Sequence, residues 1–201
     1  MRRKVVIAAV AICAGMVPAQ SAFAQSISAT AYVGQSIPLS VPVTASIGGR
    51  CEFGTGAAPQ GTFDAGQIDS TAWSHDFGFE ISCNTASRIA VVSSNGGLLS
   101  SSQATDPGYL NVAPYDVTLN LEGDAQTVSD SCAAASLVDT ATQVCSFRGT
   151  ASQLVGLRLP GASRNQAGSL LRVSAPAYAG PGTLVAGIYS DTLIITIAAA
   201  P

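Results

Sequence analysis

A long alternation of apolar and polar residues runs through positions 27–53 of the chain. Most odd positions in this stretch carry an apolar or small residue, and most even positions carry Ser, Thr, Gly, Pro or a charged residue. A period of two is typical of extended chain with one buried face. Because a normal strand is about five or six residues long, we predict two consecutive strands in this stretch.

Shorter runs with the same period predict further strands. The clearest are at positions 77–83, 89–92, 115–121, 155–159, 171–173 and 189–197. Stretches rich in Gly, Pro and Ser predict turns at positions 54–61, 95–108, 161–168 and 179–182. We find no amphipathic helix and no internal repeat. Many short strands separated in this way predict an all-β sandwich.

The first 24 residues have the features of a secretory signal peptide. Arg2, Arg3 and Lys4 precede an apolar run at positions 5–17, and Ala22 and Ala24 supply the small residues of a cleavage site before position 25. The apolar run is too short to span a bilayer. We therefore expect export of a mature chain that comprises residues 25–201.

Loss of this segment makes the chain more acidic. Six arginines then face twelve acidic residues, no lysine is left, and the net charge is −6. An acidic chain without basic clusters is not expected to bind nucleic acid or to dock on anionic membranes. We expect neither a nucleic-acid partner nor membrane insertion.

Four cysteines remain after Cys13 is removed, namely Cys51, Cys83, Cys132 and Cys145. An even number in an exported chain predicts two disulfides. Three pairings are possible, and we favour the sequential one, Cys51–Cys83 with Cys132–Cys145. A zinc site is the competing interpretation, but the chain has no CxxC pair and one histidine, so we expect no metal.

The residues predict no catalytic site. His75 is the sole histidine, and no serine lies in a GxSxG motif. We therefore expect neither an enzyme nor a cofactor. Trp73, the one tryptophan, is more often a core residue at such a position than a platform for sugar stacking. A self-contained secreted β-sandwich that binds a glycan or a surface remains the alternative function.

Four features follow one another in a characteristic order. The first alternating stretch runs into Cys51, a Gly-Thr-Phe segment occupies positions 61–66, a second strand ends at Cys83, and the last strand begins Gly-x-Tyr-x-Asp-Thr at position 187. In these features the chain resembles the chaperone–usher pilins, in particular the archaic branch with the spore coat protein U domain. The resemblance covers essentially the whole mature chain.

The resemblance implies an immunoglobulin-like β-sandwich, the pilin fold, which lacks its last strand. A periplasmic chaperone would fill the resulting groove, and the outer-membrane usher would exchange it for the N-terminal segment of another copy or of a related pilin, by strand addition. We accordingly expect a donor segment at residues 25–43 and a sandwich domain at residues 44–201. The expected function is that of a structural subunit of an adhesive cell-surface pilus that supports attachment and biofilm formation.

The donor residues are predicted from size and from proline positions. The bulkiest set in one phase is Ile37, Leu39, Val41 and Val43. Pro38 and Pro42 each remove a hydrogen-bond donor from one edge of that stretch. The second set lies in a proline-free stretch but is smaller: Ile27, Ala29, Ala31 and Val33. We favour the first set; an ordinary first strand preceded by a tail is the remaining interpretation.

The acceptor residues are predicted from the end of the chain. Pilins of this kind commonly carry an aromatic residue near the C-terminus for chaperone docking, whereas this chain ends in three alanines and a proline. We therefore expect Leu193, Ile195 and Ile197 to form the acceptor groove and the chaperone contact.

Overall fold

The computed structural model describes residues 44–54 and 61–200. Within these ranges the chain forms strands and one short 3-10 helix at Ala134–Ser136. The strands are β1 (Cys51–Phe53), β2 (Trp73–Cys83), β3 (Ser87–Ser93), β4 (Leu98–Ser100), β5 (Tyr109–Leu110), β6 (Val112–Ala113), β7 (Asp116–Glu122), β8 (Thr127–Ala133), β9 (Leu157–Leu159), β10 (Ser163–Ala175), β11 (Thr183–Leu184), β12 (Tyr189–Ser190) and β13 (Leu193–Ala199).

The strands form two main antiparallel sheets. The five-stranded sheet has the order β1-β2-β10-β7-β8, and the three-stranded sheet has the order β13-β3-β9. Two smaller sheets, β12-β4-β6 and the parallel pair β11-β5, accompany them. The prediction of an all-β sandwich is confirmed.

The core lies between the inner faces of the two main sheets, because alternate residues of each strand point inward. The five-stranded sheet contributes fully buried residues such as Ile81 and Leu119, and the three-stranded sheet contributes Ile89 and Leu159. Phe147, from the loop before β9, is the largest fully buried side chain. Burial of each such side chain stabilises the fold by about 1.5–3 kcal/mol.

Both disulfides have the predicted sequential pairing. Cys51 and Cys83 face each other across the β1–β2 ladder, and Cys132 of β8 is bonded to Cys145 in the following loop. Disulfides of this kind persist in oxidising, exported environments. In the described ranges, no helix has the length and apolarity needed to cross a bilayer.

The alternating stretch differs from its prediction where it is visible. Residues 44–50 form no strand, and Ile47 is 89% exposed instead of buried. The Asn84 side chain accepts a hydrogen bond from Arg50 N at 2.7 Å and donates one to Gly48 O at 3.1 Å, and Asn84 N donates to Arg50 O at 3.1 Å, so bonds to one residue hold this segment instead of a strand ladder. The predicted strand therefore begins only at Cys51.

Several predictions concern residues outside the described ranges. This applies to the predicted signal peptide at residues 1–24, to most of the predicted turn at 54–61, and to both candidate donor sets, which comprise Ile27, Ala29, Ala31 and Val33 as well as Ile37, Leu39, Val41 and Val43. These assignments remain predictions.

Three other details differ. The predicted turn at 161–168 is largely the start of β10, whose register against β2 shifts twice between Ser163 and Ser169. The predicted last strand is interrupted at Asp191 and Thr192, so it forms β12 and β13. The predicted turn at 95–108 contains β4. In each case, contacts with distant strands determine the local structure.

Candidate functional site

The last strand forms one edge of the three-stranded sheet. Every residue of β13 is paired with β3, from Leu193 opposite Ser93 to Ala199 opposite Ser87. On its other side, no strand of the described residues is paired with β13. An edge strand of this kind presents backbone N–H and C=O groups that are available to a further strand.

A groove of about 1330 Å³ lies beside this strand; its floor is apolar, and its walls also carry polar residues. Its floor combines inward side chains of the two main sheets, namely Trp73 and Phe77 of β2, Leu171 and Val173 of β10, and Leu193 and Ile195 of β13. Leu171 and Val173 are almost fully buried, whereas the others are partly exposed. The groove therefore leads from the surface to the core between the sheets.

Two segments form the walls of the groove: the loop at residues 61–69, which precedes β2, and residues 182–192, which include β11 and β12 and lead into β13. In the first wall, the Phe63 ring stacks on His75 with centroids 4.4 Å apart and planes 9° apart. The Ile68 carbonyl of that wall accepts a hydrogen bond from Tyr178 N at 3.1 Å. In the second wall, Tyr189 Oη donates to the Val185 carbonyl at 2.8 Å.

The aromatic residues of this region form one cluster. Trp73 lies with its ring centroid 5.9 Å from that of Phe63 and 5.8 Å from that of Tyr115, and His75 contacts Phe77 edge-on at 4.6 Å. Trp73 therefore packs against the core and lines the groove at the same time. The His75 ring is stacked among aromatic rings, which is a packing role.

Asp191 forms a hydrogen-bond network at the end of the groove. Its carboxylate accepts hydrogen bonds from Tyr115 Oη at 2.7 Å, from Ser93 Oγ at 2.6 Å, and from the backbone N–H groups of Asn95 at 3.0 Å and Thr192 at 2.7 Å. These bonds join the end of β3, the start of β7 and the junction between β12 and β13. Asp191 thus positions the strand whose edge flanks the groove.

The electrostatics of this network favour a neutral phenol. Burial, together with the hydrogen bond to Asp191, raises the pKa of Tyr115 well above its usual value. Tyr115 therefore remains a proton donor to the carboxylate at any ordinary pH. Sequence analysis did not assign Asp191 or Tyr115 to the site; the available signal was the position of Asp191 in the closing Gly-x-Tyr-x-Asp-Thr motif.

The predicted acceptor residues occupy two environments. Leu193 and Ile195 line the groove. Ile197 has the same orientation on β13, but it packs against the core further along the strand and does not line the groove. Trp73, Phe77, Leu171 and Val173 complete the floor and were not predicted as groove residues.

The described residues bring together no group of three or more His, Cys, Asp or Glu side chains with the geometry of a metal site. The chemistry that the groove offers is apolar contact and backbone hydrogen bonding along β13. Comparisons with models of protein families, with curated proteins and with solved structures found no match to this chain.

Proposed function

We propose that this protein is the structural subunit of an adhesive chaperone–usher pilus, in which the N-terminal segment of one subunit adds a strand to the next. The observation that carries the proposal is the edge of β13, unpaired among the described residues, beside a groove with an apolar floor. A strand that is added there gains main-chain hydrogen bonds along the edge and inserts alternate side chains between the sheets.

The dimensions of the preferred donor match this edge. Residues 37–43 number seven, as do the residues of β13 (Leu193–Ala199). Their four apolar side chains fall on one face of an extended chain, as the groove requires. Burial of these four side chains contributes about 6–12 kcal/mol as an upper bound.

The proposal includes a protected state before assembly. A sandwich with a bare edge and a groove open to the core is prone to aggregation. A periplasmic chaperone would cover the β13 edge and the groove until the outer-membrane usher exchanges it for the donor. The two disulfides support passage through an oxidising compartment on this route.

A self-contained glycan-binding module is the second candidate, because Trp73 and Tyr178 line the same groove. The contacts of the Trp73 ring with both Phe63 and Tyr115 favour the packing role. This alternative predicts a stable monomer that needs no chaperone and that loses glycan affinity in Trp73→Ala.

Deletion of residues 25–43 tests the proposal. The deletion should abolish the SDS-resistant ladder that unheated fibres give on a gel, while a chaperone-bound monomer is retained. Matched single changes sharpen the test: Leu39→Asp, in the predicted buried phase, should prevent polymerisation, and Ser40→Asp, in the opposite phase, should not. Normal fibres from the deletion variant would refute the proposal.

A further inference from the structure

In the three-stranded sheet, β3 lies in the centre and is flanked by β13 on one side and by β9 on the other. The side of β3 that faces away from β13 is covered over its whole length by three separate segments. Strand β9 pairs with residues 87–89, the Val91 backbone exchanges hydrogen bonds with Phe147 O at 2.7 Å and Gly149 N at 3.1 Å, and Ser93 N donates to Leu137 O at 3.2 Å. In the same sheet, β13 is unpaired on its outer side among the described residues.

Two of these covering segments belong to one loop, residues 134–149. The Cys132–Cys145 disulfide ties this loop to β8, the outermost strand of the other main sheet. Leu137 and Phe147 anchor the loop in the core, and neither side chain is exposed to solvent. The disulfide therefore joins the margins of the two sheets and holds the loop against β3.

Side-chain hydrogen bonds shape the loop itself. Arg148 donates through Nη1 to the carbonyl oxygens of Ala141 and Gln143, and Ser136 Oγ donates to the Gln143 side chain at 2.7 Å. Ser146 Oγ donates to Asp130 of β8. The loop makes three backbone hydrogen bonds to the outer part of β3, which involve Val91 N–H, Val91 O and Ser93 N–H.

The covered strand is itself a strong template for strand addition. Positions 89–92 read Ile-Ala-Val-Val, without a charge or a proline. Exposed edges with this composition recruit other chains into aggregates. The disulfide adds a covalent constraint to the buried side chains and backbone hydrogen bonds that hold this cover on β3.

We infer that the loop closed by Cys132–Cys145 is an edge cap. It blocks strand addition along the part of β3 that β9 does not pair with, which includes Val91 and Ser93. The disulfide keeps the cap in place because it limits how far the loop moves away from the sandwich. This inference concerns the side of β3 that faces away from β13 and holds whether or not the protein forms a pilus.

Amide hydrogen exchange of the purified protein tests the inference. In Cys132→Ser/Cys145→Ser, exchange at Val91 N–H and Ser93 N–H should accelerate by about tenfold or more through local opening of the cap. Exchange at Leu119 in the other sheet should not change. The same variant should form thioflavin-positive aggregates faster than the parent protein.

Two further variants make the test specific. Cys51→Ser/Cys83→Ser also removes one disulfide but leaves the cap closed, so its exchange at Val91 and Ser93 should equal that of the parent. Arg148→Ala keeps both disulfides and loosens the loop, so it should raise the same two rates by a smaller factor. This variant keeps the inference testable if the first one does not fold.

Unchanged exchange at Val91 and Ser93 in both Cys132→Ser/Cys145→Ser and Arg148→Ala would overturn the inference. Equal acceleration in Cys51→Ser/Cys83→Ser would also overturn it, because a general loss of stability would then explain the result.

Discussion

At the scale of single residues, the site depends on a carboxylate whose role is structural. Asp191 accepts four hydrogen bonds from groups that belong to separate strands and turns. A hydrogen bond to a charged group contributes about 1.5–3 kcal/mol, and a buried donor that loses its partner destabilises the fold further. The Gly-x-Tyr-x-Asp-Thr motif thus supplies the residue that holds β13 in place.

Asp191→Ala should lower the free energy of unfolding by about 1.5–3 kcal/mol, because Tyr115 Oη and Ser93 Oγ lose their acceptor. Urea unfolding followed by Trp73 fluorescence measures this change. Asp116→Ala is the control: Asp116 is exposed, and its replacement should change the free energy by less than about 0.5 kcal/mol. Equal effects of the two changes would contradict the role of Asp191.

Tyr115 gives the stability a dependence on alkaline pH. Its pKa is raised in the folded protein, chiefly by burial, whereas in the unfolded chain it is near 10. Its contribution is therefore intact below about pH 10 and is lost above it, at about 1.4 kcal/mol per pH unit, because only the unfolded chain then releases the proton. The loss continues until the pH approaches the raised folded pKa.

In Tyr115→Phe, the free energy of unfolding should decline less steeply between about pH 10 and pH 11.5 than in the parent protein. Urea unfolding at a series of pH values measures both slopes. Parallel pH profiles for the two proteins would show that the Tyr115 phenol ionises as readily in the folded state as in the unfolded one.

At the scale of elements, the period of two predicts the long strands well. The alternation of burial in β2 and β7 follows this pattern, whereas β3 was predicted from a short β-branched run and has three consecutive buried residues. β8 was not predicted, because its sequence, Thr-Val-Ser-Asp-Ser-Cys-Ala, contains one large apolar residue. Two-residue strands such as β5 and β11 have no local pattern, and their pairing with each other determines them.

Only some of the groove residues could be predicted from the local sequence pattern. Leu193 and Ile195 were predicted because they alternate along one strand. Phe77 and Leu171 alternate in their own strands as well, but only the pairing of β2 with β10 brings them to the same groove. That pairing joins residues about ninety positions apart, which no short sequence window reveals.

Adjacent residues on the two faces of β13 allow a matched pair of substitutions that tests strand addition in the groove. Ile195 lines the groove, whereas Ile194 points to the opposite face and is 53% exposed. Ile195→Asp places a charge where the donor side chains would insert, so it should reduce polymerisation strongly, and Ile194→Asp should leave it near the parental level. Ladder formation by the two variants measures the difference, and similar ladders from both would contradict strand addition in the groove.

At the scale of the whole molecule, two disulfides cross-link the sandwich. Cys51–Cys83 joins β1 to β2, and Cys132–Cys145 joins β8 to the loop that covers β3. The cysteine count predicted two disulfides, and the favoured pairing is confirmed. The position of the second disulfide beside β3 was not predictable. It depends on contacts between the loop and β3, which join positions about fifty residues apart.

The two sides of the three-stranded sheet are not equivalent. The side of β3 that faces away from β13 is covered by β9 and by a loop under covalent constraint, whereas β13 is an edge strand that flanks the groove. If the protein assembles as proposed, with one acceptor edge and one donor segment, each subunit adds to its neighbour head to tail, and a contact of this kind generates an open filament.

Cysteine cross-linking between two molecules tests most directly whether the strand comes from another copy. One chain would carry Leu39→Cys and a second chain Ile195→Cys, and the two would be assembled together and oxidised. The account predicts a cross-linked dimer on a non-reducing gel, and no dimer when Ser40→Cys replaces Leu39→Cys. A cross-link that forms only when both cysteines lie in the same chain, in a monomer, would contradict it.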